Sequence, residues 1–129
     1  MRIEHLAIWT RDLEAMKDFY TKYFNMQVSD KYHNPKKGFT SYFLSFEESS
    51  SRLELMHSIN VSYAMCGRSS ALGLAHFAIS LGSKQKVDEL TERLRKDSYE
   101  IAGEPRTTGD GYYESVVLDC EGNCVEINE

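Results

Sequence analysis

The chain has 129 residues, 41% of them hydrophobic and 27% charged, with a formal net charge of -5. This length and composition suit one globular domain with a sizeable core. The negative balance, with Lys and Arg spread out rather than massed, excludes a phosphate-binding stripe and argues against a nucleic-acid partner.

Near the N-terminus, residues 2 to 9 alternate as a short strand, and only Leu6 to Trp9 is an uninterrupted apolar run. Neither a secretory signal nor a membrane span is read from this chain, and a cytoplasmic location is expected. Asp12 sits where a helix N-cap belongs, followed by apolar residues at 13, 16, 19, 20 and 23 at helical spacing. Residues 39 to 46 are aromatic and β-branched and predict a strand. A polar turn at 47 to 51 then leads to a strand carrying Glu54 between Leu53 and Leu55.

A connector over 61 to 72, with Gly67, Ser69 and Ser70, separates this first module (1 to 60) from a second (73 to 129). The second module opens with a strand over 74 to 81 that contains His76. Ser83 is its N-cap, apolar positions 87, 90 and 94 mark a helix, and Arg93, Arg95 and Lys96 suit the negative end of that helix. Residues 112 to 118 predict a strand, 119 to 122 a turn, and Glu126 lies between Val125 and Ile127 on the last strand.

The second module repeats the first. At an offset of 71, Ala7, Ile8, Met16, Phe19 and Tyr23 fall on Ala78, Ile79, Val87, Leu90 and Leu94. At an offset of 72, Leu44, Phe46, Leu53 and Leu55 fall on Val116, Leu118, Val125 and Ile127. His5 and Glu54 stand 49 positions apart, and His76 and Glu126 stand 50 apart. Each Glu flanked by apolar neighbours points away from the face those neighbours bury. Taken singly, such residues are most often a solvated carboxylate and a satisfied imidazole. Their recurrence in register points to a shared site, because two imidazoles and two carboxylates bind a borderline divalent ion and leave positions open for water or substrate.

These segments, EHLAIWTRDLEAMKDFYTKYFNM, RLELM, GLAHFAIS and LDCEGNCVEI, resemble the vicinal oxygen chelate superfamily. That group holds glyoxalase I, extradiol dioxygenases, fosfomycin-resistance proteins and bleomycin-binding proteins. The last segment has Cys120 where the family often has proline in an Asp-Pro-x-Gly turn. The resemblance implies an α+β fold, two tandem βαβββ modules in a curved, cup-like mixed sheet with helices outside. The His, Glu, His, Glu order is most similar to glyoxalase I. Extradiol and fosfomycin enzymes typically use three protein ligands, epimerases of methylmalonyl-CoA usually carry Gln in place of Glu54, and bleomycin binders often lack the set.

The resemblance further implies a metal site of His5, Glu54, His76 and Glu126 holding Ni, Co or Zn, with Fe and Mn as alternatives. It implies a lyase that converts the hemithioacetal of a 2-oxoaldehyde and a low-molecular-weight thiol into a 2-hydroxyacyl thioester. Glu126 is then the catalytic base, Glu54 takes the mirror-related role, and the protein is a homodimer. Glutathione-using members usually have Arg four residues beyond the first His and Asn four beyond the first Glu, where this chain has Trp9 and Ser58. Loss of a carboxylate-pairing Arg weakens glutathione binding, so another thiol, or another reaction of the superfamily (epimerase, dioxygenase, antibiotic-modifying transferase), stays open, as does a non-catalytic binder.

Candidate substrate contacts are Trp9, Arg106, Tyr112 and Tyr113. The stretch GEPRTTGDGYYES reads equally as a mobile flap carrying Arg106 or as an ordinary exposed loop, and the tyrosines read also as strand packing. His33 and His57 have no repeat counterpart and are expected at the surface. Cys66, Cys120 and Cys124, an odd number, are expected as reduced and mostly buried thiols.

Overall fold

The computed structural model describes residues 2–47, 49–61, 73–109 and 111–129. The chain divides into two compact units, 1–64 and 65–129. The first contains β1 (His5–Trp9), α1 (Leu13–Phe24), β2 (Gln27–Val28), β3 (Tyr32–Asn34), β4 (Phe39–Ser45) and β5 (Arg52–Ser58). The second contains β6 (Phe77–Ser80), α2 (Lys84–Lys96), β7 (Ile101–Thr107), β8 (Tyr113–Leu118) and β9 (Cys124–Asn128). Both are βαβββ units of an α+β fold, the first enlarged by the short β3. No helix among the described residues is long and apolar enough to cross a membrane.

Both helices start where the sequence places them. The Asp12 carboxylate accepts a hydrogen bond from the Ala15 amide at 3.0 Å, and the Ser83 hydroxyl accepts one from the Lys86 amide at 3.3 Å, so each side chain satisfies a donor that the first turn leaves open. Helix α1 ends at Asn25, which adopts the left-handed conformation with φ 53°.

In α1 the buried residues are Leu13, Met16, Phe19, Tyr20, Tyr23 and Phe24, one face at helical spacing. They meet the inward residues of β4 and β5, among them Leu44, Leu53 and Leu55. The rings interlock, Phe19 lying 5.0 Å edge-on to Tyr20 and 5.2 Å from Tyr23. Each large side chain removed from water here stabilises the unit by about 1.5–3 kcal/mol. The second unit is built from smaller groups: Val87, Leu90 and Leu94 of α2 with Val117, Val125 and Ile127. Its centre also holds a polar pair, the Thr91 and Ser115 hydroxyls 2.7 Å apart, with Thr91 donating to the Val87 carbonyl. Both hydroxyls are satisfied, which removes the cost of burying them.

Each unit forms its own mixed sheet. In the first, β1 runs parallel to β5, which pairs antiparallel with β4, and β2 and β3 add to the other side of β4. In the second, β6 runs parallel to β9, followed by β8 and the edge strand β7. The opening strands are shorter than the alternation suggests, beginning at His5 and at Phe77.

The stretch read equally as a flap or as an exposed loop is corrected more substantially. Residues 101–107 form β7 and Tyr113 begins β8, the two strands pairing antiparallel, with the Thr108 amide donating to the Tyr112 carbonyl at 2.8 Å between them. Gly103 and Pro105 hide this strand from an alternation test. Pro is tolerated because β7 lies at the sheet edge, and the pairing shifts register at Gly103 and again before Arg106. The connector beyond residue 61 and Cys66 lie outside the described residues. Cys120 is exposed in its turn and Cys124 is half-buried, so neither has the buried place expected of it.

Candidate functional site

The duplicated register brings each His to its Glu. In the first unit Ala7 lies opposite Glu54, and in the second Ala78 lies opposite Glu126. His5 and His76 stand two residues before those alanines, hence on the same face and diagonal to the carboxylate. A diagonal neighbour on adjoining strands is within reach of long side chains, and alanine between them leaves the space open. The opposite faces carry Leu53, Leu55, Val125 and Ile127 into the cores, so the Glu residues are directed away from them.

His5 Nε2 lies 3.8 Å from Glu54 Oε2, and His76 Nε2 lies 3.3 Å from Glu126 Oε2. Ion–ligand distances of about 2.0–2.2 Å put two ligands of one ion about 3 Å apart at a right angle and about 3.4 Å apart at the tetrahedral angle. The second pair falls within that span, whereas the first, at 3.8 Å, is wider. Both carboxylate side chains are 15% exposed and the imidazoles 40% and 50%, so the imidazoles open to solvent and the carboxylates are largely covered. Among the described residues no group of three or more His, Cys, Asp or Glu side chains stands together as an ion site. Within each unit the pair is one imidazole nitrogen and one carboxylate oxygen.

Residues around the pairs differ between the units. His5 Nδ1 is hydrogen-bonded to the carboxylate of Glu4, whose other oxygen accepts from Arg52 Nε at 2.9 Å and from its terminal nitrogen. These contacts hold the Glu4 carboxyl below its ordinary range, the His5 hydrogen bond being the largest cause and the Arg52 hydrogen bond the next. The Arg52 guanidinium lies 4.1 Å above the Phe43 ring, and that ring meets His5 edge-on at 5.6 Å. In the second unit Ala75 and Cys124 occupy the places of Glu4 and Arg52 in the repeat. There the carboxylate has the support: Asn128 Nδ2 donates to Glu126 Oε1 at 3.3 Å, where the first unit has Met56.

The expected substrate contacts do not share one setting. Trp9 lies on the same face of β1 as His5, 46% exposed, its indole edge-on to Phe39 at 6.1 Å, and Phe39 in turn lies 6.0 Å from Tyr32. Arg106 is opposite Glu114 across β7 and β8, and their side chains form an ion pair at 3.1 Å. Tyr113 donates its hydroxyl to Asp88 on α2 at 2.7 Å, which raises the phenol pKa, the hydrogen bond outweighing burial as the cause. Tyr112 precedes β8 and is 57% exposed. His33 is exposed as expected, but His57 is half-buried, with Nδ1 3.0 Å from the Thr10 carbonyl. Glu4 and Arg52 escaped the sequence reading because their support of His5 depends on the parallel register, which sets Arg52 directly opposite His5.

Residues 2–127 match the family described as the Glyoxalase/Bleomycin resistance protein/Dioxygenase superfamily, and the chain belongs to it. The trypanothione-dependent glyoxalase I of Leishmania major is 28% identical, with a TM-score of 0.79 over all of this chain and 86% of that one. Glyoxalase I of Zea mays is 25% identical, with a TM-score of 0.80 over 98% of this chain, which spans only 44% of the maize protein. A glyoxalase family protein of Enterococcus faecalis is 26% identical, with a TM-score of 0.79 over 99% of this chain and 97% of that one. No curated protein matches the chain.

Proposed function

We propose that the protein is a metal-dependent lyase of glyoxalase type, acting on the hemithioacetal of a 2-oxoaldehyde and a small thiol. The observation that carries this reading is the repeated His–Glu pair, its nitrogen and oxygen 3.8 Å apart in the first unit and 3.3 Å in the second. A full set needs the pairs of both units, supplied by one chain or by two copies in a homodimer. The donor set is all nitrogen and oxygen, which suits Ni, Co or Zn, and Fe or Mn less selectively. When bound, the ion supplies Lewis-acid stabilisation of the negative charge that develops on the two vicinal oxygens of the substrate.

The remaining work falls to side chains. Glu126 removes the proton from the hemithioacetal carbon and returns it to the neighbouring carbon, giving the 2-hydroxyacyl thioester. Asn128 occupies Oε1 of that carboxylate, which leaves Oε2 directed toward His76 and available for the transfer. Glu54 holds the mirror-related position. Trp9 presents exposed ring surface for the apolar parts of the substrate.

Trp9 and Ser58 replace the Arg and Asn usual in glutathione users, which favours a thiol other than glutathione. The trypanothione dependence stated for the Leishmania relative is consistent with a thiol that varies among similar proteins. The same replacements favour, as a second reading, a different metal-dependent reaction of the superfamily.

Elemental analysis of the purified protein, followed by metal-restored assays of methylglyoxal with glutathione and with other low-molecular-weight thiols, tests the proposal. A bound divalent ion and thioester formation with at least one thiol are expected. A metal-loaded protein that forms no thioester with any of them transfers support to the second reading.

A further inference from the structure

We propose that Glu4, clamped by Arg52, is a positioning residue that fixes the His5 tautomer and presents the Nε2 lone pair of His5 toward Glu54. This rests on the reading of the His5–Glu54 pair as metal ligands. Neighbouring residues on a strand project to opposite faces, so a carboxylate rarely meets the imidazole that follows it. Here Glu4 lies one residue ahead of β1, while its carbonyl still accepts the Arg52 amide at 2.9 Å. The backbone is thus tied to β5, and the side chain is free to turn back to His5.

The two oxygens of Glu4 are divided between two donors. Oε1 accepts both Arg52 Nε at 2.9 Å and its terminal nitrogen, and Oε2 is left for His5 Nδ1. An acceptor-only carboxylate at Nδ1 requires the proton to be there, so in the neutral ring Nε2 is the unprotonated nitrogen, and Nε2 is the atom facing Glu54. All three side chains are about two-fifths exposed or more, so such contacts add little to folding. What the chain of contacts does is orient a ring. A carboxylate behind a ligating imidazole raises its basicity and holds its tautomer. In the second unit Ala75 and Cys124 stand at the repeat positions of Glu4 and Arg52.

Two readouts test this on the whole protein. In the metal-free form, nitrogen-detected NMR of the histidine rings at mildly alkaline pH is expected to show His5 protonated at Nδ1, and Glu4→Ala to shift it toward the Nε2–H form while His76 is unchanged. Zinc affinity, measured by competition with a chromophoric chelator, is expected to fall about 10–100-fold in Glu4→Ala, and to fall less in Arg52→Lys. Thermal unfolding of Glu4→Ala serves as the folding control, and little change is expected at so exposed a position. If Glu4→Ala keeps both the tautomer and the affinity while Glu54→Gln releases zinc, the positioning role is overturned and the ligand reading survives. If the unsubstituted protein binds no zinc, the ligand reading fails, and the tautomer comparison alone decides the role of Glu4.

Discussion

In the first unit the histidine is the supported member of the pair, through Glu4 and Arg52, whereas in the second it is the glutamate, through Asn128. The backbone beneath them is the same, with Ala7 opposite Glu54 and Ala78 opposite Glu126 in equivalent parallel registers. The difference separates two tasks. Register alone brings an imidazole and a carboxylate together, and the residues one step further out decide which of the two is held rigid. The cores diverge in the same manner, aromatic rings filling the first and a buried hydroxyl pair sitting in the second.

The largest effect that distinguishes the units is expected in catalysis. Glu126→Gln removes the proposed base and should lower kcat about 10²–10⁴-fold, with substrate affinity within about tenfold. Glu54→Gln should act mainly by weakening metal binding, so that excess metal restores part of its turnover. Equal, metal-insensitive losses in both variants would show that the units share the proton-transfer role, and unchanged turnover in Glu126→Gln would remove that residue from it.

Stability should also separate the cores. Phe19→Ala is expected to cost about 3–5 kcal/mol by opening a cavity among rings. In the second unit, Thr91→Val alone leaves the Ser115 hydroxyl unsatisfied and should cost about 1–3 kcal/mol, while Thr91→Val with Ser115→Ala should recover most of the loss. Denaturant titrations of the unsubstituted protein, Thr91→Val, Ser115→Ala and the double variant check this, and a double variant as unstable as the sum of the two singles would show that the hydroxyls do not depend on each other.

A smaller effect concerns acid. Hydrogen bonds from Lys17 and Lys31, with a further one from Tyr42, lower the Glu14 carboxyl from 4.5 to about 2. A carboxylate whose pKa is depressed on folding stabilises above its unfolded value, and that contribution is lost as pH falls through the folded one. Glu14 is nearly half exposed, so solvent screening reduces the gain to about 0.5–1 kcal/mol. Glu14→Gln should therefore be less stable than the unsubstituted protein at neutral pH, with the gap closing between pH 4.5 and about 2. A gap that persists at the acid end would assign the loss to packing.

Much of this was legible in the sequence because it follows from period and offset. The alternation around Glu54 and Glu126, the helical spacing after Asp12 and Ser83, and the repeat that equates the two His–Glu pairs all correspond to structure. Strand β7 was not, because Gly103 and Pro105 remove the side-chain and donor signals by which strands are recognised. The partners of Arg106 and Tyr113 were hidden for a different reason: Glu114 and Asp88 meet them only once β7, β8 and α2 are assembled. Glu4 and Arg52, 48 positions apart, likewise meet only through the β1–β5 register.

The most direct measurement of the proposed metal site is the stoichiometry of divalent-ion binding, by calorimetry with elemental analysis, for the unsubstituted protein and for His5→Ala and His76→Ala. One ion per chain is expected, with tight binding lost on removing either histidine, because neither pair alone completes the set. Two ions per chain, with one retained in each variant, would show two independent half-sites and contradict the shared centre.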